Sequence, residues 1–128
     1  MTVKHIALVS VPVSDQDRAK AFYTETLGFE LVADNPYGDG QRWVQVAPKG
    51  AETGLTLVTW FETMPPGSTK GLVLETDDVD ASYQELAARG VRFNGPVEQQ
   101  FWGRYATFDD PDGNGWVLQQ SPAPRPTA

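Results

Sequence analysis

The chain has 128 residues and no cysteine, and its 17 acidic against 10 basic side chains give a formal net charge of −7. This excludes disulfides, thiolate nucleophiles and Cys-ligated metals, and argues against nucleic-acid or anionic-membrane partners, both of which need clustered Lys and Arg. With 40% hydrophobic and 21% charged residues, the composition is that of one globular domain able to build a core without covalent staples.

Val3–Val13 is apolar and β-branched and reads as a buried strand. The N-terminus lacks the long apolar region and small-residue cleavage site of a signal peptide, and no run reaches the length of a membrane span. The expected location is therefore the cytoplasm. Ser14 or Asp15 caps a helix over Asp15–Leu27, with Asp15 and Asp17 well placed in its first turn. Ala19, Phe22, Tyr23 and Leu27 recur at helical spacing as a core-facing stripe, and Gly28 stops the helix. Phe29–Ala33 is a second strand, Asn35–Gly40 a turn-rich loop, Arg42–Ala47 a third strand and Gly54–Trp60 a fourth. Phe61–Thr69, with two prolines and a glycine, is a linker.

The same order then returns. Lys70–Thr76 is a strand, and Asp77 or Asp78 caps a helix over Val79–Arg89 that buries Val79, Tyr83, Leu86 and Ala87 and ends at Gly90. Val91–Asn94, Gly103–Phe108 and Trp116–Gln120 are the remaining strands. SDQDRAKAFYTETLGFEL and DDVDASYQELAARGVRF match as acidic cap, helix, Gly and apolar strand, which predicts two copies of one β-α-β-β-β unit in an α+β fold. The domain layout is module 1 over about 3–60, the linker 61–69, module 2 over about 70–120 and a Pro-rich disordered tail at 121–128.

Phe108–Gln120, FDDPDGNGWVLQQ, is a dense turn between two aromatic, β-branched strands and predicts a hairpin. Together with the paired modules and AFYTETLGF in the first helix, it resembles the vicinal oxygen chelate superfamily of glyoxalase I, extradiol dioxygenases and fosfomycin- and bleomycin-resistance proteins. The resemblance covers roughly residues 3–120. It implies two curled mixed sheets with helices outside, an open cavity formed within a chain or across a dimer, and a homodimer. In the metal-dependent members, ligands come from equivalent strands of the two modules. The corresponding positions here are Leu8, Thr56, Gly71 and Val117. Leu and Val offer no lone pair, Gly only its backbone, and a Thr hydroxyl is a poor ligand for a transition metal. The expectation is no metal and no cofactor. His5, the single histidine, sits three residues before Leu8 and so on the opposite strand face, unless a bulge reverses the register.

If the ligand positions set the parity, the cavity face carries Ile6, Leu8 and Ser10; Trp43 and Gln45; Thr56, Val58 and Trp60; Val73 and Glu75; Tyr105 and Thr107; Val117 and Gln119. Leu55, Leu57, Leu72, Leu74, Phe108, Trp116 and Leu118 fall on the helix side, which is strongly apolar. Trp43, Trp60 and Tyr105 are expected to line one pocket with Gln45, Thr107 and Gln119, with Ser10 and Thr56 on the same face. Phe101 and Trp102 are placed to close over it. Aromatic walls with a few fixed polar groups suit a small organic ligand. The competing reading makes the aromatic residues core filler, and Trp116 is assigned to the core. Glu75 is the one cavity-side carboxylate on a strand. Desolvated, it is a candidate general base; the simpler reading leaves it solvated near a strand end or paired with Arg42 or Arg104.

The sequence therefore points to a metal-free binding protein of the glyoxalase/bleomycin-resistance type for an aromatic or cationic organic molecule. A glyoxalase-like lyase, isomerase or dioxygenase is the alternative, and a ligand-free structural or regulatory dimer is the third. Whether a reaction is catalysed stays open.

Overall fold

The computed structural model describes residues 2–36, 38 and 40–120. The disordered tail expected at 121–128 lies outside the described residues. The described chain forms two compact units, one running to Thr69 and including Asp110–Asn114, the other comprising Lys70–Asp109 and the chain from Gly115.

The first unit runs β1 (Leu8–Pro12), α1 (Gln16–Ala21), a π-helical turn (Phe22–Thr26), β2 (Glu30–Pro36), β3 (Arg42–Ala47) and β4 (Gly54–Val58), with sheet order β1-β4-β3-β2. The second runs β5 (Leu72–Glu75), α2 (Val79–Ala88), β6 (Glu98–Gln100), β7 (Gly103–Asp109) and β8 (Gly115–Gln120), in the order β5-β8-β7-β6. In each, the first strand pairs in parallel with the last and the other pairings are antiparallel. These are the two β-α-β-β-β modules of the α+β fold read from the repeat.

The caps choose between the alternatives left by the sequence. Asp15 accepts from the Arg18 amide at 3.0 Å, and Asp78 accepts from the Ala81 amide at 3.0 Å, each satisfying a donor that the first helical turn leaves open. Helix α2 ends in a Schellman arrangement. Gly90 at φ 102 lets its own amide reach the Ala87 carbonyl at 3.0 Å, while the Val91 amide reaches Leu86 at 3.0 Å. The first helix is not α-helical to Leu27 as expected. The Thr24 hydroxyl bonds the Lys20 carbonyl at 2.8 Å, competing with the backbone ladder, and the Leu27 amide reaches back five residues to Phe22.

Several strand limits differ from the sequence expectation. Residues 2–7 extend no sheet, because β4, the partner of β1, ends its pairing at Gly54 opposite Leu8. Strand β2 continues past Ala33 to Pro36, paired with Arg42–Gln45 after a bulge between Leu31 and Ala33. The fourth strand stops at Val58, so Trp60 is not a strand residue. The sixth strand lies at Glu98–Gln100 rather than Val91–Asn94, where Phe93 makes only an isolated bridge to Phe108. Gly95-Pro96 breaks the ladder there, since proline brings no amide hydrogen.

The core of the first unit holds Val11, Val13, Ala19, Tyr23, Val44, Val46, Leu55 and Leu57, all buried. The second holds Val79, Leu86, Ala106, Phe108, Trp116 and Leu118. Its aromatic stack runs from Tyr83 to Phe93 (centroids 4.1 Å apart), on to Phe108 (5.5 Å) and then Trp116 (6.3 Å). Trp116 is thus a core residue, as its helix-side parity required.

The turn Asp110–Asn114 is a buried polar hub of the first unit. Asp110 Oδ1 accepts the amides of Asp112 (3.0 Å) and Asn114 (2.8 Å), and its Oδ2 accepts Tyr23 Oη (2.7 Å) and Asn114 Nδ2 (2.8 Å). Asn114 Nδ2 also donates to the Pro12 carbonyl at 2.8 Å, and its Oδ1 accepts the Thr69 amide at 3.1 Å. Asp112 accepts from the Ser14 amide and hydroxyl and from Arg18. Gly67, at φ 82, lies so close that a Cβ there would collide with the Asp112 carbonyl oxygen.

Candidate functional site

Strand pairing in the second unit sets one residue from each strand side by side. Glu75 on β5 is opposite Gln119 on β8, Gln119 is opposite Tyr105 on β7, and Tyr105 is opposite Glu98 on β6. Residues in register across a sheet share a face, so this is a continuous polar row with a phenol in it. Gln119 Nε2 donates to Glu75 Oε2 at 3.2 Å and Tyr105 Oη donates to Glu98 Oε2 at 2.8 Å. The Glu98 carboxylate, by accepting that proton and by its charge, raises the Tyr105 phenol above the ordinary tyrosine range. Trp102, in the turn between β6 and β7, lies 5.1 Å from the Tyr105 ring, tilted by 32°. Phe101 beside it is 95% exposed.

The next row holds Val73, Val117 and Thr107. Asn94 Nδ2 donates to Thr107 Oγ1 at 3.1 Å, and the Asn94 amide to the Thr107 carbonyl at 2.8 Å. Against Asn94 and Thr107 lies a cavity of about 360 Å³ lined by Asn94, Gly95, Pro96, Glu98, Tyr105, Ala106 and Thr107. That volume falls within the roughly 300–1,000 Å³ of small-molecule pockets. Tyr105 and Thr107 are on its wall together with Ala106 between them, and Gln119 is beside Tyr105, while Trp43, Gln45 and Trp60 do not line it. Glu98 and Asn94 were not foreseen from the sequence. Glu98 would have been found from its pairing with Tyr105, had the strand at Glu98–Gln100 been recognised.

In the first unit, Ser10, Thr56 and Gln45 are neighbours across β1, β4 and β3. Trp43 Nε1 donates to Gln45 Oε1 at 3.2 Å. Ser10, Trp43 and Gln45 are half-buried, but Thr56 is buried, as is the whole of β4. Trp60 leaves the strand and packs against Phe61, centroids 6.1 Å apart.

A larger cavity, about 590 Å³, lies at the β2–β3 connection against Asp34, Pro36, Gly38, Gly40, Gln41 and Arg42. No aromatic ring among the described residues lines it, and its charges are spent on each other. Arg42 clasps Asp34 through Nε (2.6 Å) and Nη2 (2.8 Å) and reaches Asp17 at 2.7 Å, while Lys20 holds Asp34 at 2.7 Å. The hydrogen bonds from Arg42 and then Lys20 hold the Asp34 carboxyl well below the usual carboxylate range. Asp34 and then Asp17 push the Arg42 guanidinium further up. The aromatic and acceptor groups of the second unit make its smaller cavity the better site.

Glu75 is exposed, so it lacks the desolvation on which a general-base role would rest. His5 is exposed in the segment ahead of β1, where strand alternation does not apply. The positions that carry metal ligands in metal-dependent relatives offer one hydroxyl, on buried Thr56, beside Leu8, Gly71 and Val117. This donor set does not fit a transition metal. Among the described residues no group of three or more His, Asp or Glu is placed to hold one.

Residues 2–118 match the family described as Glyoxalase/Bleomycin resistance protein/Dioxygenase superfamily. The chain belongs to this superfamily. Among solved structures, it is similar to TnmS3, an antibiotic binding protein from Streptomyces sp. CB03234. The two are 58% identical with a TM-score of 0.89, over 95% of this chain and 99% of that one. A glyoxalase/bleomycin resistance protein from the same organism is 60% identical with a TM-score of 0.80, over 91% and 100% of the two chains. The Bacillus subtilis (strain 168) protein YetH is 40% identical over 121 residues, 92% of this chain and 99% of its own. The glyoxalase/bleomycin-resistance superfamily thus accounts for both modules. Among the described residues no helix is long and apolar enough to cross a membrane.

Proposed function

We propose that this chain is a metal-free small-molecule-binding protein of the glyoxalase/bleomycin-resistance type, taking an aromatic or cationic organic ligand. The observation that carries the reading is the Tyr105–Trp102 aromatic pair beside the 360 Å³ cavity, with Glu98, Thr107 and Asn94 as fixed polar groups. The antibiotic-binding relative TnmS3 supports it. Gln119 extends this face, and Ser10, Trp43, Gln45, Thr56 and Trp60 are separate candidate ligand contacts within the first unit. The two modules act as one domain, in a homodimer and in the cytoplasm. The free edge of β6 and the exposed Phe101 are features a second copy would cover.

Titration with a polycyclic aromatic antibiotic should quench Trp fluorescence in a saturable way, and Trp102→Ala together with Tyr105→Ala should weaken binding while far-UV circular dichroism stays unchanged. Saturable binding that survives both substitutions unaltered would place the site elsewhere. Sedimentation should give a dimer at micromolar concentration, and a monomer there would overturn the assembly.

A further inference from the structure

The hydrogen-bonding inventory of the second-unit cavity is lopsided. Tyr105 spends its one hydrogen on Glu98 Oε2 and already has the Gln100 side chain at its oxygen, so it has no hydrogen to give a ligand. Glu98 is acceptor-only as a carboxylate, and among the described residues its Oε1 has no hydrogen-bond partner. A tyrosine phenol is protonated at neutral pH in any case, and the hydrogen bond to Glu98 and its charge raise it further. Asn94 turns its amide nitrogen to Thr107 and keeps its carbonyl oxygen as an acceptor. Among the described lining residues, the side-chain donors left are the Thr107 hydroxyl and the second Asn94 hydrogen. No Lys or Arg among the described residues lines the cavity. Arg104, next to Tyr105 in the strand, projects to the other face by alternation and is engaged by Asp80 at 2.8 Å and Gln99 at 3.2 Å.

We propose that this cavity selects an aromatic ligand bearing a protonated amine, with Glu98 receiving the ammonium and the Tyr105 and Trp102 rings receiving the aromatic body. The inference rests on the binding reading above and narrows its ligand class. An ammonium beside Glu98 meets a full negative charge, acceptor oxygens and the face of an aromatic ring, all attractive to a cation. A carboxylate in the same place meets Glu98 at contact with no cation to offset it. The net charge of −7 steers approaching ligands in the same sense.

The test uses three probes with one ring system: 1-naphthylmethylamine, protonated at pH 7, neutral 1-naphthalenemethanol, and 1-naphthoate. Each is titrated by calorimetry into the full-length protein and into Glu98→Gln. Glu98 is exposed on an edge strand, so the variant should fold, which circular dichroism checks. The wild type should bind the amine roughly fivefold more tightly than the alcohol, the scale of one exposed ion pair, with naphthoate weakest. Added salt should shrink the preference, and Glu98→Gln should bind amine and alcohol alike. Equal binding of all three probes by the wild type overturns the charge selection and leaves the aromatic site standing. A preference for the amine that persists in Glu98→Gln removes Glu98 as its receiver. If no probe binds, the binding reading falls and this inference with it.

Discussion

The Tyr23 hydroxyl donates to the Asp110 carboxylate at 2.7 Å, across 87 residues of sequence and with both side chains buried. A buried carboxylate is tolerated only when its lone pairs are met, and Asp110 meets four donors. Tyr23→Phe removes one of them and should cost about 1–2 kcal/mol. Asp110→Ala strands all four and should cost about 3 kcal/mol or more. Urea denaturation of both variants measures this; a Tyr23→Phe midpoint equal to wild type would show that the bond adds nothing.

Acid should loosen the β2–β3 end of the first unit. The Asp34 carboxyl is depressed in the folded state by Arg42 and Lys20. Its contribution is therefore fully present above the unfolded carboxylate value of about 4 and is lost as pH falls below that toward the folded value. Asp34→Asn should be less stable than wild type by about 1–3 kcal/mol at pH 7. The gap between the two proteins should narrow below about pH 4. Thermal melts at pH 7 and pH 3 check the sign, and a gap that widens in acid would contradict it.

Trp102 and Trp116 separate the ligand side of the second unit from its core. Trp116→Ala empties a core position that is 3% exposed and should destabilise the fold by about 3 kcal/mol or more. Trp102→Ala, in the turn beside Tyr105, should leave folding largely intact and weaken aromatic-ligand binding by roughly 1–2 kcal/mol. Denaturation and titration of both variants distinguish these effects, and an exchange of the two phenotypes would reverse the assigned faces.

Tight binding of a divalent transition metal is not expected, because Leu8, Gly71 and Val117 bring no side-chain donor and Thr56 only a hydroxyl. Elemental analysis of purified protein should give far less than one metal ion per chain. About one Zn, Fe, Mn or Ni per chain, lost on His5→Ala, would contradict the donor argument.

The repeat was legible because its markers are local: an acidic cap, a 3.6-residue stripe and a terminal glycine at Gly28 and at Gly90. What escaped depends on partners distant in sequence. Glu98-Gln99-Gln100 is exposed throughout, so its strand leaves no apolar alternation to read. Val91 and Phe93 are apolar for a different reason, packing under α2 and its aromatic stack rather than pairing. Strand β2 continues through Asp34 on the strength of ion pairs that a hydrophobic pattern cannot register. In the candidate site, strand alternation groups Tyr105, Thr107 and Gln119 on one face, whereas Glu98 required the unforeseen strand. DPDGN was read as a turn, and its buried hydrogen bonds needed the fold to be seen.

The grouping of Asp110–Asn114 with the first unit has a consequence for the order in which the protein is made. A nascent chain that has reached only the linker carries every helix and strand of the first unit, yet lacks the Asp110 carboxylate and Asn114 amide that bond its Tyr23 hydroxyl and Pro12 carbonyl. Those bonds close only once Asn114, near the end of the chain, has been synthesised. The polar hub of the first unit is therefore completed only after nearly all of the second has been translated, and a fragment ending at the linker would lack those bonds.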